Sequence, residues 1–171
     1  VHDVLFNFMN KEDLLNRAKE QAKKAPEEYR TSVELYYITR YFVSVFEARN
    51  HAIPIQVWNE YRNALDHFFR HITSDDYPET SENLKRMEGH MKRAALDIIK
   101  LNCHISDQWL DDEISKYHTS AQLFIDNGTF IESFQKQREE VKNIFLQAKA
   151  EDYNFGIDSI TNKKILALYI D

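Results

Sequence analysis

Arg62, Asn63 and His67 fall within one short run, Arg62-Asn63-Ala64-Leu65-Asp66-His67. An imidazole exchanges protons near neutral pH. A guanidinium holds an oxyanion through two parallel hydrogen bonds, and an amide can orient either partner. A second set, Arg86, His90, Arg93 and Asp97, recurs at four- and three-residue steps, which on a helix makes one polar stripe. If that stripe faces the first motif, it supplies local positive charge; otherwise it is a solvated face. Helix geometry aligns Asn63 with His67, and Glu60 and His71 continue their line. Arg62 and His67, five positions apart, are separated by about 140° on an unbroken helix, so one face cannot hold both. Arg62 and Asp66 also form an i,i+4 pair of opposite charge, which would leave His67 on the solvated side.

These residues must be positioned by helices. Only 3 Gly and 3 Pro punctuate 171 residues, and apolar residues recur at three- and four-residue steps, predicting an all-α antiparallel bundle of about five to seven helices. In the segment 53–73, Ile55, Trp58, Tyr61, Leu65, Phe68 and Ile72 are expected to form the buried face, with Pro54 starting the helix. The preceding helix should run from Pro26 to about Asn50. Its middle, with Leu35, Tyr36, Tyr37, Ile38, Tyr41, Phe42, Val43 and Phe46, is apolar on nearly every side. It therefore reads as a central helix rather than a base-stacking platform. Asn10 is the expected cap of a first, Lys-rich helix.

Ser74 to Glu82 reads as a loop, after which Thr80 or Ser81 caps a fourth helix with the seam Leu84, Met87, Met91, Ala94, Ile98 and Leu101. Ser106-Asp107 either starts a new helix or continues a bent one, and Asn127-Gly128 stops it. A further helix is expected from Thr129 to about Ala150, then a turn over Asp152 to Asp158. A last helix, capped by Ser159 or Thr161, would contain Ile165, Leu166, Leu168 and Ile170. The length suits one domain over residues 1–171, with 152–171 as a C-terminal extension or a link to further sequence.

The net charge of -6 and pI near 5.7 give no global positive field for nucleic acid or an anionic membrane, although an enzyme needs only a local basic cleft. One cysteine, Cys103, excludes an intrachain disulfide and a multi-cysteine zinc site. Its thiol is either reactive or a buried apolar filler. No run of about eighteen apolar residues suggests a membrane span, and no basic stretch leads into an apolar core, so a cytoplasmic location is expected. Glu47 and His51 stand at i,i+4, but the paired Glu-x-x-His motifs of a di-iron bundle are missing, and neither metal nor cofactor is expected. There is no glycine-rich phosphate loop or nucleophile elbow.

The Arg62-Asn63…His67 run, in a helical chain of this size, resembles the signature of the HEPN superfamily, helical domains many of which are metal-independent endoribonucleases of toxin and defence systems. The resemblance implies Arg62 and His67 as catalytic residues: His67 exchanging a proton with the ribose 2′-hydroxyl or leaving oxygen, and Arg62 holding the scissile phosphate. Asn63 would orient phosphate or imidazole, while Arg86, His90 and Arg93 are substrate-binding candidates on their own spacing, if their stripe faces this helix. The resemblance also implies RNA as substrate, a homodimer whose cleft forms between two copies, and a regulatory protein partner. Asp66 departs from that pattern by placing a negative charge beside His67. The competing expectation is a non-catalytic helical bundle that binds a partner protein or a nucleotide.

Overall fold

In a computed structural model of the chain, residues 10–116 and 128–156 are described. Among them the protein is all-α: α1 (Lys11–Lys23), a 3-10 turn (Glu27–Tyr29), α2 (Arg30–Asn50), α3 (Ile55–Thr73), α4 (Tyr77–Ser115) and α5 (Thr129–Phe155). The expected last helix beyond residue 158 and the Asn127 half of the stop signal lie outside the described residues. The chain divides into two compact units within α4, between Ile99 and Lys100.

The first unit carries the candidate site. Asn10 caps α1 as its sequence position predicts, its side chain accepting from the Asp13 amide at 2.8 Å, which satisfies one of the helix's open donors. Leu14, Ala18 and Ala22 of α1 are buried and pack along α2. Pro26 starts the 3-10 turn, and α2 follows. Ser32, Leu35, Ile38, Thr39, Val43 and Phe46 are its buried positions, while Tyr36 is exposed. At its C-terminus His51 adopts φ 50°. A left-handed residue there ends the helix, and Pro54 opens α3 after a short turn.

α3 departs from its expected orientation. Ile55, Trp58, Leu65 and Ile72 are exposed, not buried. The inward face is instead Val57, Ala64 and His71 with half-buried Tyr61 and Phe68, also at four- and three-residue steps. Tyr61 packs against Tyr36, and Phe68 and His71 against Tyr29. The helix has two apolar stripes, and packing against α2 and the 3-10 turn selects the one that periodicity did not single out.

The loop between α3 and α4 is only Ser74 to Asp76, because α4 already begins at Tyr77. Pro78 fits the first helical turn, where its missing N–H has no intrahelical role, and Thr80 and Ser81, the predicted caps, already lie inside the helix. Met87, Met91, Ala94 and Ile98 of the predicted seam are buried. The helix continues through Ser106-Asp107 to Ser115 without interruption.

In the second unit, Arg138 of α5 reaches both Asp107, at 2.8 Å, and Asp111 of α4, and Lys100 pairs with Asp152. α5 runs past Asp152 to Phe155 and ends at Gly156, where φ is 59°, so Asp152 to Phe155 are helical rather than the predicted turn, whose residues 157–158 lie outside the described ones. Burial pushes the Cys103 thiol up, which lowers its thiolate fraction and argues against a reactive cysteine.

Candidate functional site

Four residues of the two predicted motifs and their flanks meet between α3 and α4. Glu60 and His67 stand on one side, seven positions apart, and His90 and Arg93 on the other. The imidazoles of His67 and His90 stack with centroids 5.3 Å apart and planes inclined by 16°. His90 Nδ1 lies 2.7 Å from Glu60 Oε2, and Arg93 Nε donates to the same oxygen at 3.1 Å. The second polar stripe therefore does face α3 at His90 and Arg93.

Hydrogen bonding fixes the ring of His67. Asn83 Nδ2 donates to the Glu79 carbonyl at 3.0 Å, which turns its Oδ1 toward His67 Nδ1, 2.8 Å away. An oxygen acceptor there requires the proton on Nδ1 and leaves Nε2 as the basic nitrogen. His90 Nδ1 faces two groups, the acceptor Glu60 Oε2 at 2.7 Å and the donor Arg93 Nη2 at 3.1 Å; the closer carboxylate places the proton on Nδ1. Neither Nε2 has a hydrogen-bond partner among the described residues. Burial pushes the Glu60 carboxyl up, but hydrogen bonds from His90 and Arg93, with their positive charge, outweigh it and hold the group below its ordinary range. Glu60 is therefore a carboxylate at neutral pH, able to balance charge on either neighbour.

Arg62 does not join this cluster. It is exposed on an uninterrupted α3 and makes no ion pair or side-chain hydrogen bond among the described residues. The expected Arg62–Asp66 pair is absent; Asp66 instead accepts from Arg70 at 2.9 Å, both side chains being exposed. His67 is half-buried rather than solvated. Asn63 is half-buried without a side-chain hydrogen bond, and Arg86 is exposed and paired with Glu82 at 3.0 Å.

His71 completes the polar line on α3 in a different role. It is 8% exposed, and both nitrogens are engaged, Nδ1 with the Thr80 carbonyl and Nε2 with the Tyr29 hydroxyl, each at 2.9 Å. A buried, doubly bonded imidazole ties three segments together and has no nitrogen left for a substrate.

Asn83 and Glu60 are the residues that motif spacing undervalued. Asn83 precedes Arg86, His90 and Arg93 at the same three- and four-residue steps, so extending the second stripe by one turn would have found it. Comparison with protein-family models, curated proteins and solved structures finds no match.

Proposed function

We propose that the chain is a metal-independent endoribonuclease of HEPN-like type whose proton transfers are carried by the His67–His90 pair. The observation supporting this reading is two stacked imidazoles, each anchored through Nδ1 and each with Nε2 unpartnered among the described residues. His67 Nε2 takes the proton of a ribose 2′-hydroxyl as its oxygen attacks the adjacent phosphorus. The P–O5′ bond breaks as protonated His90 delivers its Nε2 proton to the leaving oxygen. The products are a 2′,3′-cyclic phosphate and a free 5′-hydroxyl. Glu60 keeps the His90 ring oriented and balances its imidazolium charge, as a carboxylate does behind a catalytic histidine. Arg93 directs Nε at Glu60 and Nη2 at His90 Nδ1, so its Nη1 hydrogens are the ones that stabilise charge on the phosphate.

The test is incubation of the purified protein, in EDTA, with a single-stranded RNA and with the DNA strand of the same sequence. Cleavage of RNA alone, with cyclic phosphate ends, is the expected result. Cleavage of both strands, or dependence on added metal, refutes the chemistry.

A second reading, a non-catalytic interaction module, is favoured by the outer side of α3. Ile55, Trp58, Leu65, Phe69 and Ile72 are 66, 47, 52, 53 and 51% exposed. With Arg62 they form a stripe at alternating three- and four-residue steps, the spacing of a helix–helix seam. These five side chains expose on the order of 500 Å², taking roughly 150–250 Å² for each large side chain, the size of patch that is often functional on a protein surface. The stripe suits a second copy. An antiparallel pairing about a two-fold axis sets Ile55 opposite Ile72, Trp58 opposite Phe69, and Arg62 opposite Leu65 with Asp66 alongside, so apolar meets apolar and Arg62 gains an acid. Such a homodimer is compatible with either reading, and absence of RNA cleavage from a stable dimer selects the second.

A further inference from the structure

A groove of about 370 Å³ lies between α1 and α2, and it shares no residue with the imidazole pair. Buried Leu14 and Ala18 line it, with Tyr37 and Tyr41 from α2 and one arginine from each helix, Arg17 and Arg40. Both arginines are exposed, and neither makes an ion pair among the described residues. Carboxylates near Arg17 in sequence are engaged elsewhere: Asp13 with Asn10, Glu20 with Lys23. Two guanidiniums thus line one groove in a chain of net charge -6, a local concentration of positive charge that attracts an anion.

We propose that this groove binds a small aromatic phosphate of the nucleoside monophosphate class. The Arg17 and Arg40 forks match phosphate oxygens, the tyrosine rings offer a surface for a heterocycle, and Gln21 and Ser44, which also line the groove, can hydrogen-bond a ring or ribose. The volume falls at the lower end of small-molecule sites, which span roughly 300–1,000 Å³, so the groove suits a single nucleotide rather than a polynucleotide.

Isothermal titration with AMP, adenosine and inorganic phosphate tests the proposal. Expected is saturable binding of one AMP per chain, with adenosine and phosphate each at least about tenfold weaker, because phosphate and ring are both recognised. Arg17→Ala and Arg40→Ala each weaken AMP by about tenfold or more, with helicity unchanged by circular dichroism. Arg17→Lys and Arg40→Lys, which keep the charge but lose the fork, also weaken it. In a His67→Ala/His90→Ala protein AMP binding persists, so the groove's failure is distinguishable from failure of the nuclease reading. No AMP binding, equal binding of phosphate alone, indifference to the arginine substitutions, or loss of binding in the histidine variant each overturns the proposal.

Discussion

The histidines along α3 have the same chemistry and opposite uses, and single substitutions separate them. His71 has both nitrogens bonded in a buried setting. Its replacement by alanine leaves Tyr29 and the Thr80 carbonyl without their partner and should cost about 1–3 kcal/mol of stability, read as a lower midpoint in urea unfolding. His67 is only half-buried, and His67→Ala should cost clearly less in the same experiment.

Glu60 makes a prediction in pH. Its carboxyl is held lower in the folded chain than the usual carboxylate value of about 4.3 by His90 and Arg93, against the opposing effect of burial. The folded state therefore binds fewer protons than the unfolded one in that range. The stabilisation is present above the unfolded value and lost as pH falls through the folded one. Unfolding followed from pH 5 down to about pH 3 should show a steeper loss of stability for the parent than for Glu60→Gln, which has no carboxyl to protonate. Parallel curves would mean that Glu60 gains nothing from its two partners.

At the scale of the element, α3 shows what periodicity can and cannot decide. That the segment is a helix begun by Pro54 was legible from its three- and four-residue repeats. Which side faces inward was not, because Val57, Tyr61, Ala64, Phe68 and His71 make one regular stripe while Ile55, Trp58, Leu65, Phe69 and Ile72 make another. Both satisfy the same pattern, and the inner one contains a histidine that hydropathy alone would place outside. The polar meeting of α3 with α4 was legible as two stripes, since Glu60, His67, His90 and Arg93 keep helical spacing. The pairing of His67 with Asn83 was not, because it depends on how two helices are set against each other and not on either sequence. The outer stripe carries its own prediction. The protein should sediment as a dimer, and Leu65→Glu or Phe69→Glu, each placing a charge in the seam, should yield a monomer of unchanged helicity. A parent that is monomeric at high concentration would exclude the two-fold pairing.

For the molecule as a whole, the all-α class followed from scarce glycine and proline and from helical repeats. The division within α4 did not, because the helix crosses it without a break and no composition change marks it. The acidic balance bears on how substrate is held. With two phosphate contacts, from Arg86 and Arg93 of the second stripe, RNA affinity should fall by about sevenfold between about 50 and 200 mM salt, following a slope of roughly -0.7 per contact on a single strand. A fall of about a thousandfold would require many more contacts than this surface offers.

The central claim is that the working pair is His67 with His90, and not His67 with Arg62. Its most direct test is the rate of RNA cleavage in EDTA by His67→Ala, His90→Ala and Arg62→Ala proteins, each compared with the parent at matched helicity and oligomeric state. Loss of about a hundredfold or more in each histidine variant, the scale of general acid–base catalysis, with Arg62→Ala within a few-fold of the parent, is the predicted result. Full activity in His90→Ala together with its loss in Arg62→Ala would contradict it.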